Sequence, residues 1–141
     1  MGTRSTVKFY SRGNHNILSV YNQFDGYITG EGEELVNFLT SDEWKGNGFE
    51  DTALLYVCYK KQGKPYHTYA TTEYDLQEYN YIIYDTDEGI RISIREERWL
   101  DNTNEHAYVE TLRFGTIDDL KKYVEEERIK EQAIMNSRNG E

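Results

Sequence analysis

A single cysteine, Cys58, leaves this chain of 141 residues without a partner for an internal disulfide, which excludes the stapled frameworks of small secreted domains. Apolar runs are short as well. Nothing approaches the ~18 to 20 consecutive apolar residues that cross a bilayer, and the opening Met1 to Tyr10 lacks the apolar stretch of a signal peptide. The expectation is a soluble cytoplasmic protein without membrane contact. Its length suits one core rather than two.

Histidine is just as scarce. His15, His67 and His106 are widely scattered and make no recognised ligand spacing with Cys58, so neither a metal nor another cofactor is expected. Asp85, Asp87 and Glu96 match part of a calcium-loop template, but Ile90 stands where that loop needs glycine. A hairpin turn at Asp87-Glu88-Gly89 is the better account. Catalytic signatures are missing too: there is no Gly-x-Ser-x-Gly turn and no phosphate loop. Cys58 follows the apolar run Ala53 to Val57 and reads as a buried core thiol. Among 26 carboxylates, neighbours such as Glu96 and Glu97 arise by chance and single out no acid-base pair. A non-catalytic role is expected.

Positive charge is the last shortage: 16 basic residues face 26 acidic ones, for a net charge of -10. Such a field repels phosphate backbones and anionic lipid, so direct nucleic-acid binding is disfavoured. It fits plain solubility, imitation of nucleic acid, or attraction to a basic partner. Tyrosine is what the chain has in excess, 13 residues against five phenylalanines. Tyrosine suits strands, and it also suits wet interfaces and stacking on flat ligands.

Alternation marks strands over residues 5–10, 17–21, 66–71, 79–84, 90–95 and 107–114, the first two forming a hairpin. In residues 90–95 the isoleucines Ile90, Ile92 and Ile94 share one face and Arg91, Ser93 and Arg95 the other, which predicts one core side and one wet side. Residues 31–41 read as a helix burying Leu35, Phe38 and Leu39. For residues 51–61 the local pattern leaves two readings open. One is a helix capped by Asp51 with Leu54, Leu55 and Cys58 on one face; the other is a strand favoured by Tyr56, Val57 and Tyr59. Thr116-Ile117-Asp118-Asp119 resembles a capping box ahead of a helix that buries Ile117, Leu120 and Val124. The predicted fold is α+β: a mostly antiparallel sheet of about six strands, two helices packed on it and a C-terminal helix. Residues 1–124 form the domain. Residues 125–141 form a helical extension with a frayed end, solvated or used for homo-oligomer contact.

Two loops spend glycine and polar groups where core would be expected: Gln23-Phe24-Asp25-Gly26-Tyr27, and Lys45-Gly46-Asn47-Gly48. If they meet, Gln23, Asp25, Gly26, Tyr27, Asn47 and Gly48 line one pocket with Arg4 at its edge. Arg91 and Arg95, with Arg113, add cations for phosphate pairing.

Met1-Gly2-Thr3-Arg4-Ser5 and Gln23-Phe24-Asp25-Gly26-Tyr27, followed by Gly30 and a helix, resemble a group of small uncharacterised proteins found in phages and bacteria. In that group proline usually follows the Asp-Gly-Tyr, and here Ile28 takes its place. The resemblance covers roughly residues 1 to 85, implies a phage origin and favours the helix for residues 51–61; it implies no mechanism. The functional expectation is therefore a phage accessory protein that sequesters a small polar, nucleotide-derived ligand. The alternative is an acidic inhibitor of a basic or nucleic-acid-binding host protein, acting as a DNA mimic.

Overall fold

The computed structural model describes residues 3–13, 15–22, 25–41, 44, 48–62, 68–71, 77–99 and 106–139. The chain opens with an antiparallel hairpin of β1 (Ser5–Ser11) and β2 (His15–Asn22). A π-helical turn (Ile28–Gly32) then runs into α1 (Glu33–Thr40), followed by α2 (Phe49–Lys61) and the short strand β3 (Thr68–Thr71). Next come β4 (Tyr79–Thr86), β5 (Gly89–Trp99), β6 (His106–Gly115) and the long α3 (Ile117–Asn139). The strands form one mixed sheet in the order β3-β2-β1-β4-β5-β6. Every neighbouring pair is antiparallel except β1 with β4, where Val7 lies beside Tyr81 in parallel register.

The pleat explains the core. Val7, Phe9, Val20, Tyr81, Ile83, Ile92 and Ile94 are buried on the face beneath the helices, because register places these residues on one side of the sheet. From α1 they receive Leu35, Phe38 and Leu39, the residues its periodicity predicts. The opposite face departs from expectation: Thr6, Lys8, Ser19, Asn80 and Ser93 are buried too, so it is not simply wet. Polar side chains survive there by pairing. Thr6 donates to Asn80 Oδ1 at 2.9 Å, and Asn80 closes a turn with the backbone of Gln77.

Residues 49–61 are a helix, and its inward face corrects the sequence reading. Tyr56 packs between Phe9 and Phe38, with ring centroids 5.8 and 5.1 Å away, which turns Thr52 and Ala53 inward. Leu54 and Cys58, one turn apart, therefore share the outward face, and Cys58 is exposed rather than a core thiol. The N-cap is Gly48 instead of Asp51; its carbonyl accepts the Thr52 amide and hydroxyl, both at 3.0 Å. At the predicted hairpin turn Gly89 takes a φ of +103°, a region L side chains rarely adopt.

Thr116 and Asp119 form the reciprocal cap at the start of α3, with bonds of 3.1 and 2.9 Å. Leu120 and Val124 are buried, and polar contacts continue further: Arg128 pairs with Glu33 at 2.7 Å and Thr29 donates to Glu131 at 2.8 Å. The tie to the domain thus reaches Glu131, beyond the expected boundary at Val124. Residues 129–138 are exposed. No described helix is long and apolar enough to cross a membrane.

Candidate functional site

The loop at Asp25 is shaped by backbone needs before any chemistry. Asp25 sits at a φ of +58°, its carbonyl accepts the Glu31 amide at 2.8 Å, and its carboxylate accepts the Tyr27 hydroxyl at 3.2 Å. Gly26 donates to the Thr3 carbonyl at 2.9 Å and accepts from the buried Tyr81 hydroxyl at 2.7 Å. A Cβ at Gly26 would lie 2.7 Å from that of Ser5, and one at Gly30 only 2.3 Å from the Asp25 carbonyl oxygen. Both glycines are therefore required by close approach. They seat the π-helical turn that carries Glu31.

The two predicted loops are not brought together by the residues described. Gly26 packs on Arg4 and Ser5 at one end of β1, while Phe49, next to Gly48, packs on Phe9 toward the other end, with ring centroids 6.0 Å apart. Gly48 is exposed, and no described residue beyond its chain neighbours lies within 4 Å of a Cβ built there. Gln23 and Asn47 lie outside the described residues. The predicted arginines are also dispersed. Arg4 meets Glu78 at 3.8 Å, Arg95 meets Glu110 at 3.9 Å, and Arg91 meets Glu88 at 3.3 Å while donating to the carbonyls of Glu88 and Ile90. Arg12, Arg98, Arg113 and Arg128 are likewise each within 4.0 Å of a carboxylate.

What does converge is a set of tyrosines and carboxylates at the end of the sheet where β1 and β4 begin. Tyr27 stands beside Asp25 and Glu131. Its phenol pKa is raised above the ordinary value by partial burial first, then by those charges. Tyr79 is raised by burial and by Glu96, its cross-strand partner, with smaller contributions from Glu127 and Glu78. Tyr123, reaching down from α3, donates to the nearly buried Glu96 carboxylate and is raised further still, by burial and then by that bond. Arg98 holds the other Glu96 oxygen at 3.0 Å. On the opposite face Tyr108 is raised by burial and by Glu97 and Glu78. Four phenols thus share this end with Asp25, Glu78, Glu96, Glu97, Glu127 and Glu131. Among the described residues, Arg4, Arg98 and Lys130 pair with members of this set.

Among the described residues two cavities bear on these positions. One of about 480 Å³ lies where Leu39 and Thr40 end α1, beside Arg91, Thr116, Ile117 and Asp118. An anion placed against Arg91 there would also face Asp118. The other, about 400 Å³, opens at the tyrosine end and is lined by Arg4, Glu78, Tyr79 and Glu97. Of the residues singled out in the sequence as a pocket, Arg4, Asp25, Gly26 and Tyr27 lie at this end; Glu78, Tyr79, Glu96, Glu97 and Tyr123 were not assigned to it. The excess of tyrosine and the Glu96-Glu97 pair were the available signals; the parallel register that gathers them was not. No described group of His, Cys, Asp and Glu has the arrangement of a metal site.

Comparison with known proteins adds no name to this arrangement: no family model, no curated protein and no solved structure matches the chain.

Proposed function

We propose that the chain is a non-catalytic binding protein that captures a cation-bearing ligand at the tyrosine-rich end of its sheet. The supporting observation is the convergence there of four phenols with six carboxylates among the described residues. Carboxylates supply charge and hydrogen-bond acceptors for an ammonium or guanidinium, and tyrosine rings attract cations through their electron-rich faces. A nucleotide-derived ligand fits this end less well, because its phosphates would meet the same carboxylates and Arg4, Arg91 and Arg95 already face acidic partners. Calorimetry of the purified protein with arginine, lysine and spermidine, alongside cyclic nucleotides, tests the reading. Heats of binding from the amines alone are expected; a nucleotide that binds while every amine is inert would overturn it.

A second reading, capture of a basic protein partner, is favoured by one further observation. Seven arginines are spent on internal ion pairs, yet the chain keeps a net charge of -10. Such a partner would be retained on the immobilised chain and released steeply by salt. Retention that is indifferent to salt would count against it.

A further inference from the structure

The cavity of about 480 Å³ between the end of α1 and the start of α3 combines apolar walls with one charge of each sign. Leu39, buried in the core, and Ile90 and Ile117, packed against it, form the apolar part of the lining. The charges are Arg91 and Asp118, which line the same cavity yet do not come within 4.0 Å of each other as an ion pair. The walls are fixed before any ligand arrives. Thr40 closes the last turn of α1 by donating to the Val36 carbonyl at 2.7 Å, and Thr116 and Asp119 exchange the two bonds of the α3 cap. Because Asp119 serves that cap, the Asp118 carboxylate is not committed to it and has no hydrogen-bond or ionic partner among the described residues. Arg91 is pinned as well: its Nη1 donates to the carbonyls of Glu88 and Ile90 at 3.2 and 3.1 Å and its Nη2 to the Glu88 carboxylate at 3.3 Å, which leaves the Nε–H without a partner among the described residues. Asp119 is held below the usual carboxylate range by its bonds with Thr116 first and more weakly by the charges of Lys122 and Arg91, so the field of the guanidinium covers the start of α3.

An ion of either sign alone is poorly served here. An anion on Arg91 would face Glu88 and Asp118, and a cation on Asp118 would face Arg91. A molecule that carries both charges on one carbon meets neither penalty. The carboxylate of a free α-amino acid suits the planar donors of a guanidinium, and its ammonium suits the Asp118 carboxylate. An apolar side chain then covers the surface that Leu39, Ile90 and Ile117 leave to water. The volume lies within the roughly 300 to 1,000 Å³ usual for small-molecule sites, and both helix ends that frame it are rigid supports. We propose that this cavity is a binding site for a free α-amino acid with an apolar side chain of about the size of leucine, its carboxylate on Arg91 and its ammonium on Asp118. The site is separate from the tyrosine-rich end and shares no residue with it.

Calorimetry with L-leucine and its analogues tests it: 4-methylpentanoate lacks the ammonium, 3-methylbutylamine lacks the carboxylate, and glycine lacks the side chain. Leucine is expected to bind at least about tenfold more tightly than each, the factor that one charge-assisted contact or one buried apolar side chain is worth. Asp118→Asn should erase the preference over 4-methylpentanoate and leave that over 3-methylbutylamine. Arg91→Gln should do the reverse. Asp118 is exposed, so its variant keeps the fold and decides the case by itself should the loss of Arg91 unsettle the β4-β5 turn, which circular dichroism checks. Saturating spermidine should leave the affinity for leucine unchanged. Leucine that binds no better than its analogues, a preference that Asp118→Asn does not touch, or leucine displaced by spermidine would overturn this site while cation capture stands. Leucine that binds as expected while spermidine, arginine and lysine show no heat at the tyrosine-rich end would remove cation capture and leave this site in place.

Discussion

Two carboxylate clusters in this protein stand in opposite physical situations. Glu31, in the π-helical turn, is fully buried; it accepts the Tyr56 hydroxyl and lies 2.7 Å from the Lys60 ammonium, an ionic contact more than an aligned hydrogen bond. Glu78 and Glu97 face each other across β4 and β5 at the surface, with Arg4 as a loose third party. The first cluster is ion-paired and dry, the signature of a contact that fixes how elements dock. The second faces solvent, and its contact between Arg4 and Glu78 is long and well hydrated. Burial separates an acid that holds the fold from one that faces solvent.

Alkali should break the matched side most completely. Burial raises the phenols of Tyr56 and Tyr81 well above their usual value, and Glu31 adds to both shifts. A raised folded pKa means that stability is fully present below the unfolded value near 10 and is lost as pH rises past it. With two such groups the loss approaches about 3 kcal/mol per pH unit, readable as a falling urea midpoint with tyrosinate absorbance appearing only on unfolding. Tyrosinate signal from these rings in the intact fold would contradict the burial. Lys60→Met, which strands Glu31 without its cation, should cost about 3 to 5 kcal/mol in urea unfolding, and a wild-type midpoint would show that the pair is not matched after all. Gly30→Ala forces a Cβ to within 2.3 Å of the Asp25 carbonyl and should cost about 2 kcal/mol. Thr116→Ala removes half of the α3 cap for about 1 kcal/mol. On the solvent-facing side Glu78→Gln, which weakens the long contact with Arg4, should change stability by at most about 1 kcal/mol. A clear destabilisation there would erase the contrast between the two clusters.

Much of the fold was legible because periodicity is local. The alternation of Ile90, Ile92 and Ile94, the stripe of Leu35, Phe38 and Leu39, and the Thr116 cap each concern residues a few positions apart, and each appears as expected. What failed depended on partners distant in sequence. Cys58 looks like core in a linear run, but the packing of Tyr56 on Phe9 decides which face of its helix is inward. The burial of Lys8 on the supposedly wet face has the same non-local character. So does the site: Arg4, Glu78, Glu97 and Tyr108 become neighbours only through pairing of four strands. The loop at Asp25 was correctly singled out as unusual, though its glycines answer to backbone crowding and its proposed companion at Gly48 lies toward the other end of β1.

The parallel contact of β1 with β4 has a consequence for how the molecule assembles. On either side of it the sheet is built from antiparallel pairs, β3-β2-β1 and β4-β5-β6, within which the β1-β2 and β4-β5 hairpins can zip through short loops. The seam between the halves joins residues more than seventy positions apart, so it closes only after a large loss of chain entropy. Two separately synthesised pieces, divided between Thr71 and Gln77, would each keep their own ladders. Their reunion across Val7 and Tyr81 would then bring Arg4 alongside Glu78 and close the core beneath both halves at once.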